Sequence, residues 1–151
     1  RIGVSSAKGI CYANDIPLIA VNTLEILAQR YTPNEGEILL PMIDARRMEV
    51  FTMALNAQYE TIQATAAIII SEETSATLPK GKKVLFGSGA EKCKSFLKGE
   101  DYLFVDDIEV SSAKNMVHLV AEKYAAKQFE DVAYFEPFYL KDFHTNAAKV
   151  K

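Results

Sequence analysis

The chain has 151 residues, 49% hydrophobic and 25% charged, which excludes a disordered or fibrous protein and suits one domain, or one domain with part of a neighbour. Its formal net charge of −3 argues against sequence-indifferent nucleic-acid binding, which needs a basic face to release counterions. The longest uncharged stretch, Thr61 to Ser71, holds eleven residues, short of the roughly 20 apolar residues of a membrane-crossing helix.

The chain opens Arg1-Ile2-Gly3-Val4 without an initiator Met or a cap, and it reads as a fragment entered inside a helix. Residues Ile2 to Ala13 form that helix, with two apolar sides. At about 100° per residue, Ile2, Ser6, Gly9, Ile10 and Ala13 share one side and Val4, Ala7 and Cys11 the other, with Ser5, Lys8 and Tyr12 as the polar remainder. A helix of this kind wants two neighbours, either within one domain or in a second subunit. Gly9 costs roughly 1 kcal/mol relative to Ala in a helix, which close packing can offset.

Pro17 to Val21 reads as a short buried strand after the turn signal Asn14-Asp15. Asn22 is then an N-cap for a helix carrying Leu24, Leu27, Ala28 and Tyr31, which Pro33 stops. From Glu37 the apolar period changes to two. Ile38 to Ile43, Glu49 to Leu55 and Thr61 to Ile70 are three successive strands of an antiparallel meander. Ser71-Glu72-Glu73 starts a short helix. Lys83 to Phe86 follows as a strand, Ala90 to Leu97 as a helix and Tyr102 to Val105 as a strand. Ser112 to Lys127 is a longer helix with Met116, Val117, Val120 and Tyr124 inward.

That order predicts an α/β fold, a ribonuclease H-like lobe of the actin-like ATPase and sugar-kinase kind, with a mixed sheet and helices on both faces. The expected division is a remnant of a first lobe over 1–35, the complete lobe over 36–128 and an extended closing segment over 129–151. In that segment Tyr134, Phe135, Phe138 and Tyr139 surround Pro137 and are expected as core, with base stacking as the alternative.

Gly87-Ser88-Gly89 runs from strand into helix, where backbone N–H groups can meet a phosphate. It lacks the Lys-Ser/Thr pair of a P-loop, and the same turn serves packing. The hairpin Ile43-Asp44-Ala45-Arg46-Arg47-Met48-Glu49 carries no glycine, although backbone amides reach a polyphosphate only where side chains do not intervene. Asp44 and Glu49 are expected to pair with Arg46 or Arg47 and to cap the turn. The two arginines are candidates for an anion or partner contact. Cys11 and Cys93 stand far apart with no Cys-x-x-Cys and no secretory signal, so they are expected as free thiols in a reducing cytoplasm. His118 and His144 lack neighbours at ligand spacing, so neither a metal site nor a cofactor is expected.

Four stretches carry a resemblance: Arg1-Ile2-Gly3-Val4-Ser5-Ser6-Ala7-Lys8-Gly9; Ile16-Pro17-Leu18-Ile19-Ala20-Val21-Asn22-Thr23-Leu24; Ile43-Asp44-Ala45-Arg46-Arg47-Met48-Glu49-Val50-Phe51; and Glu136-Pro137-Phe138-Tyr139-Leu140-Lys141. Together, and in this order, they resemble the TsaB (YeaZ) family. Its members begin with a small lobe ending in Gly-Pro-Gly-Ser-Phe-Thr-Gly just before the residue that matches Arg1, so the resemblance implies an N-terminally truncated chain. It further implies a cytoplasmic subunit without a catalytic site. Such a subunit pairs with a TsaD-like catalytic protein and a TsaE-like ATPase for threonylcarbamoylation of the adenosine next to the anticodon, meeting transfer RNA only through the complex. The family also self-associates through first-lobe helices, including the one matched by Ile2 to Ala13. Val4, Ala7, Lys8 and Cys11 are accordingly expected at a partner interface. The competing expectation is an actin-like or sugar-kinase-like phosphotransferase or ATPase that holds its nucleotide at Gly87, Ser88 and Gly89.

Overall fold

The computed structural model describes residues 2–141; the part of the closing segment over 142–151 lies outside them. Five strands, β1 (Ile38–Asp44), β2 (Glu49–Leu55), β3 (Thr61–Ile69), β4 (Lys83–Phe86) and β5 (Tyr102–Val105), form one sheet in the order β3-β2-β1-β4-β5. The first three are antiparallel, with Met42 opposite Thr52 and Val50 opposite Ile68. β4 joins β1 in parallel, Leu40 beside Leu85, and β5 joins β4 in parallel. This is the strand order and polarity of a ribonuclease H-like sheet, as expected.

Alternation along the strands supplies two cores. Leu40, Met42, Val50, Ala54 and Leu85 face one side, where Leu78, Ala90, Cys93 and Leu97 cover them. Leu39, Met53, Leu55, Val84 and Phe86 face the other, under Leu24, Leu27 and Ala28. Each large apolar side chain so enclosed contributes about 1.5–3 kcal/mol. The cover on the second face is the helix α2 (Thr23–Ala28). Asn22 caps it as expected: its Oδ1 accepts the Leu24 N–H at 2.9 Å, while its Nδ2 donates to Thr65 Oγ1 of β3 at 2.7 Å. Tyr31 stacks on Phe86 with ring centroids 5.8 Å apart.

Several elements differ from expectation. Pro17 to Val21 is not a strand: among the described residues its ladder pairing is limited to the isolated bridge of Leu18 with Glu130. Ala90 to Leu97 makes only a single 3₁₀ turn at Glu91–Cys93; the loop is short, and Cys93 and Leu97 must both reach the sheet. A four-residue helix, α3 (Thr74–Thr77), follows Ser71-Glu72-Glu73. The last helix begins as a 3₁₀ turn over Ala113–Met116 and continues as α4 (Val117–Ala125). Val117 and Tyr124, expected inward, are 66% and 59% exposed, since α4 buries none of its residues and packs mainly against the 3₁₀ turn that precedes it. α1 (Ile2–Asn14) forms as predicted. Its Val4, Ala7 and Cys11 side turns toward the rest of the chain, while Ile2 and Ile10 are exposed and Gly9 has no close neighbour among the described residues. None of the described helices is long and apolar enough to cross a membrane.

Glu37, 2% exposed, fastens the loop before β1. Its carboxylate accepts hydrogen bonds from Lys82 Nζ at 2.8 Å, the Asn34 N–H at 2.9 Å and Tyr31 Oη at 3.1 Å. Burial pushes its pKa up, but these donors outweigh burial and bring it from 4.5 down to about 2. A depressed carboxylate stabilises fully above its unfolded pKa and loses that contribution as pH falls through its folded one. Urea unfolding of the wild type should therefore show stability lost between pH 4.5 and about 2. Glu37→Gln should cost roughly 1–3 kcal/mol at neutral pH and lose less over the acidic window. Parallel curves for the two proteins would contradict the assignment.

Candidate functional site

In open α/β sheets, ligands gather at the carboxyl ends of the parallel strands. Here the ends of β1 and β4 bring together the two stretches singled out in the sequence, the hairpin Asp44–Glu49 and the turn Gly87–Gly89.

Packing accounts for both glycines of the turn. Gly87 has φ +102°, and a Cβ there would lie 2.2 Å from the Met42 carbonyl oxygen and 2.7 Å from Leu27 Cδ2. A Cβ on Gly89 would lie 2.9 Å from Val50 Cγ1 and 3.0 Å from the Ile43 carbonyl carbon. Their amides are used within the chain: Gly87 N–H donates to Ile108 O at 2.6 Å and Gly89 N–H to Met42 O at 3.1 Å. Ser88, exposed between them, accepts the Asp44 N–H on its Oγ at 3.2 Å.

The hairpin is closed by a residue that the sequence did not single out. Lys92 Nζ donates to Asp44 Oδ1 at 2.5 Å, to Arg47 O at 2.8 Å and to Glu49 O at 3.2 Å. Asp44 Oδ1 also accepts the Arg46 N–H at 2.7 Å, which caps the turn. Lys92 and the Arg46 N–H hold the Asp44 carboxyl below the usual carboxylate range. The expected pairing of the carboxylates with Arg46 and Arg47 is corrected: Asp44 pairs with Lys92 and Glu49 with Lys141. Both lysines arrive from elements packed beside the hairpin, whereas the arginines sit at its tip, exposed, with φ of +67° and +51°. Lys92 could have been found only by first recognising that β4 lies next to β1, which carries the turn after β4 over the hairpin.

A groove of about 750 Å³ opens alongside. Val4, Ala7, Leu18, Ile43, Phe51 and Phe138 are among its walls. The described part of the closing segment borders it and is held at two points. Lys8 Nζ donates to the carbonyls of Ala133 at 3.1 Å and Phe135 at 2.9 Å. Lys141 pairs with Glu49 and lies over the Phe51 ring, 5.5 Å from its centroid. Of the four residues expected at a partner interface, Val4 and Ala7 thus line the groove and Lys8 engages the closing segment. Cys11 is buried, its Sγ donating to Pro17 O at 3.7 Å. Of the four aromatics around Pro137, Phe135 is half-buried against the groove and the other three are not core. Tyr134, Phe138 and Tyr139 are 84%, 76% and 54% exposed, because the segment runs along the groove's edge without a second layer above it. Both cysteines are free thiols. Cys93 is fully enclosed, and burial pushes its pKa up to about 11, leaving little nucleophilic thiolate at neutral pH.

Residues 1–149 match the family described as TsaD, tRNA N6-adenosine threonylcarbamoyltransferase. The chain is 27% identical over 155 aligned residues to the tRNA threonylcarbamoyladenosine biosynthesis protein TsaB of Escherichia coli (strain K12), an alignment covering 94% of this chain and 64% of that protein. It is 33% identical over 89 residues to TsaB of Bacillus subtilis (strain 168), covering 57% and 38%. YeaZ from Pseudomonas aeruginosa superposes with a TM-score of 0.72 at 25% identity, over 92% of this chain and 67% of that one. A Pseudomonas aeruginosa protein described as uncharacterized, with similarity to peptidase YeaZ, superposes with a TM-score of 0.74 at 25% identity, covering 93% and 67%. The chain therefore spans less than two thirds of the length of the two curated relatives.

The two glycine turns give a matched pair of substitutions. Gly87→Ala combines a disfavoured φ with a clash against a backbone oxygen and should cost about 3 kcal/mol or more in urea unfolding. Gly99→Ala shares the positive φ, +118°, but meets nothing within 4 Å, so it should cost only about 1 kcal/mol. Equal losses would show that close packing is not what requires Gly87.

Proposed function

Since the chain belongs to the TsaD family, with its TsaB/YeaZ members, we propose that it serves tRNA threonylcarbamoyladenosine biosynthesis as a non-catalytic subunit. In this reading it pairs with a TsaD-like catalytic protein and a TsaE-like ATPase in the cytoplasm, and transfer RNA is met only through the complex.

The observation that carries the reading is the closed hairpin. A polyphosphate loop offers unpaired backbone N–H groups to the anion. Here the N–H groups of Asp44, Ala45, Arg46, Gly87 and Gly89 all donate inside the chain, and Lys92 bonds to three oxygens of the turn. A net charge of −3 likewise favours protein partners over direct RNA binding. The outer side of α1, with exposed Ile2 and Ile10 around Ser6 and Gly9, suits close approach of a second helix, either from the TsaD-like protein or from another copy. Val4 and Ala7 are open to a partner through the groove.

Reconstitution tests this. Nucleoside mass spectrometry should detect threonylcarbamoyladenosine when the full-length protein is combined with TsaD-like and TsaE-like proteins, ATP, an activated threonylcarbamoyl donor and transfer RNA, and none when the TsaD-like protein is left out. Modification without that protein would make this chain the catalyst. Ile10→Glu should also weaken association about tenfold or more in sedimentation with the TsaD-like partner, and unchanged association would remove the outer side of α1 from the interface.

A further inference from the structure

Arg46 and Arg47 are the charged groups of the site left without a task. Both are exposed, and neither guanidinium forms an ion pair among the described residues, Arg46 acting on the Asp44 carboxylate only as a weaker, longer-range charge behind Lys92. The acids beside them are committed elsewhere, Asp44 to Lys92 and Glu49 to Lys141. Both arginines also break a local rule. Two consecutive left-handed residues in a hairpin ordinarily call for Asn-Gly, and a side-chain-bearing residue there costs roughly 1 kcal/mol. Their side chains do not hold the turn, whose shape is fixed by Lys92 and by the Asp44 carboxylate on the Arg46 amide. The tip therefore presents two unpaired guanidiniums on a backbone already ordered before binding.

The geometry points to the hairpin tip, Arg46 with Arg47, as a cationic contact for carboxylates on the surface of a protein partner. A phosphate backbone is matched by a track of free cations. On this side of the molecule the neighbouring ammoniums are neutralised, Lys92 by Asp44, Lys94 by Glu91 and Asp106, and Lys141 by Glu49. What is left is a point charge of two adjacent forks, each suited to taking a carboxylate bidentately. A tip rigidly mounted by Lys92 loses little freedom on docking. Because charge steers encounter, the contact acts on association rate and salt dependence as well as affinity.

This assignment rests on the scaffold function proposed above, and one titration separates the two. Full-length wild type, an Arg46→Asn/Arg47→Gly double variant and an Arg46→Glu/Arg47→Glu double variant are titrated with the TsaD-like protein at low and high salt, and separately with a transfer RNA transcript. The Asn/Gly variant relieves the turn and should melt no lower than wild type. It should nevertheless bind the protein about tenfold or more weakly at low salt and lose most of the salt dependence, and the Glu variant should bind weaker still. If wild type binds and the Asn/Gly variant matches it at both salts, the tip is not a contact and the scaffold function stands. A loss confined to the transcript overturns the carboxylate assignment in favour of RNA. Failure of wild type to bind the TsaD-like protein overturns the scaffold function and this contact with it.

Discussion

One ammonium group organises the end of the sheet where chemistry would be sought. Lys92 reaches across from the turn after β4 and hydrogen-bonds three oxygens of the β1–β2 hairpin. Because a lysine ammonium is donor-only, it satisfies the carbonyls of a turn that no glycine relaxes, and it pairs the one carboxylate at the start of that turn. Its reach depends on the glycines at 87 and 89, which let the β4 turn lie against β1. The close approach of two backbones therefore comes first, the lysine clamp follows from it, and the closed hairpin follows from the clamp. Phosphate-binding loops run the other way, with glycines in the hairpin and its amides facing outward.

Much of the fold was legible because burial is periodic. All five strands were read from alternation or from short apolar runs, and β4 and β5 were placed residue for residue. The errors share a cause. Pro17 to Val21 has the apolar content of a strand, but strand character belongs to pairing, and only Leu18 finds a bridge. Ala90 to Leu97 has helical spacing, yet bringing Cys93 and Leu97 onto the sheet is compatible with a 3₁₀ turn. Val117 and Tyr124 obey the helical period without lying over the sheet, so periodicity chose a face that the tertiary arrangement left open.

The site was legible by composition and illegible by contact. The absence of glycine from the hairpin, and with it of the bare backbone that a polyphosphate loop uses, could be read from its residues alone. Which cations its acids would choose depended on neighbours 48 to 92 positions away in the chain. The aromatics at 134–139 were misjudged for a related reason. Their content suggests core, but the segment they occupy is pinned at Lys8 and Lys141 along the rim of a groove. The resemblance to TsaB, the match to the TsaD family and the superposition on YeaZ agree on the same fold.

The proposed role as a non-catalytic subunit requires this sheet end to be shut to a nucleoside triphosphate. Titration calorimetry of the full-length protein with ATP and magnesium addresses it directly. Only the heat of dilution is expected, because the amides of Asp44, Ala45, Arg46, Gly87 and Gly89 are already bonded within the chain. Saturable micromolar binding would contradict it.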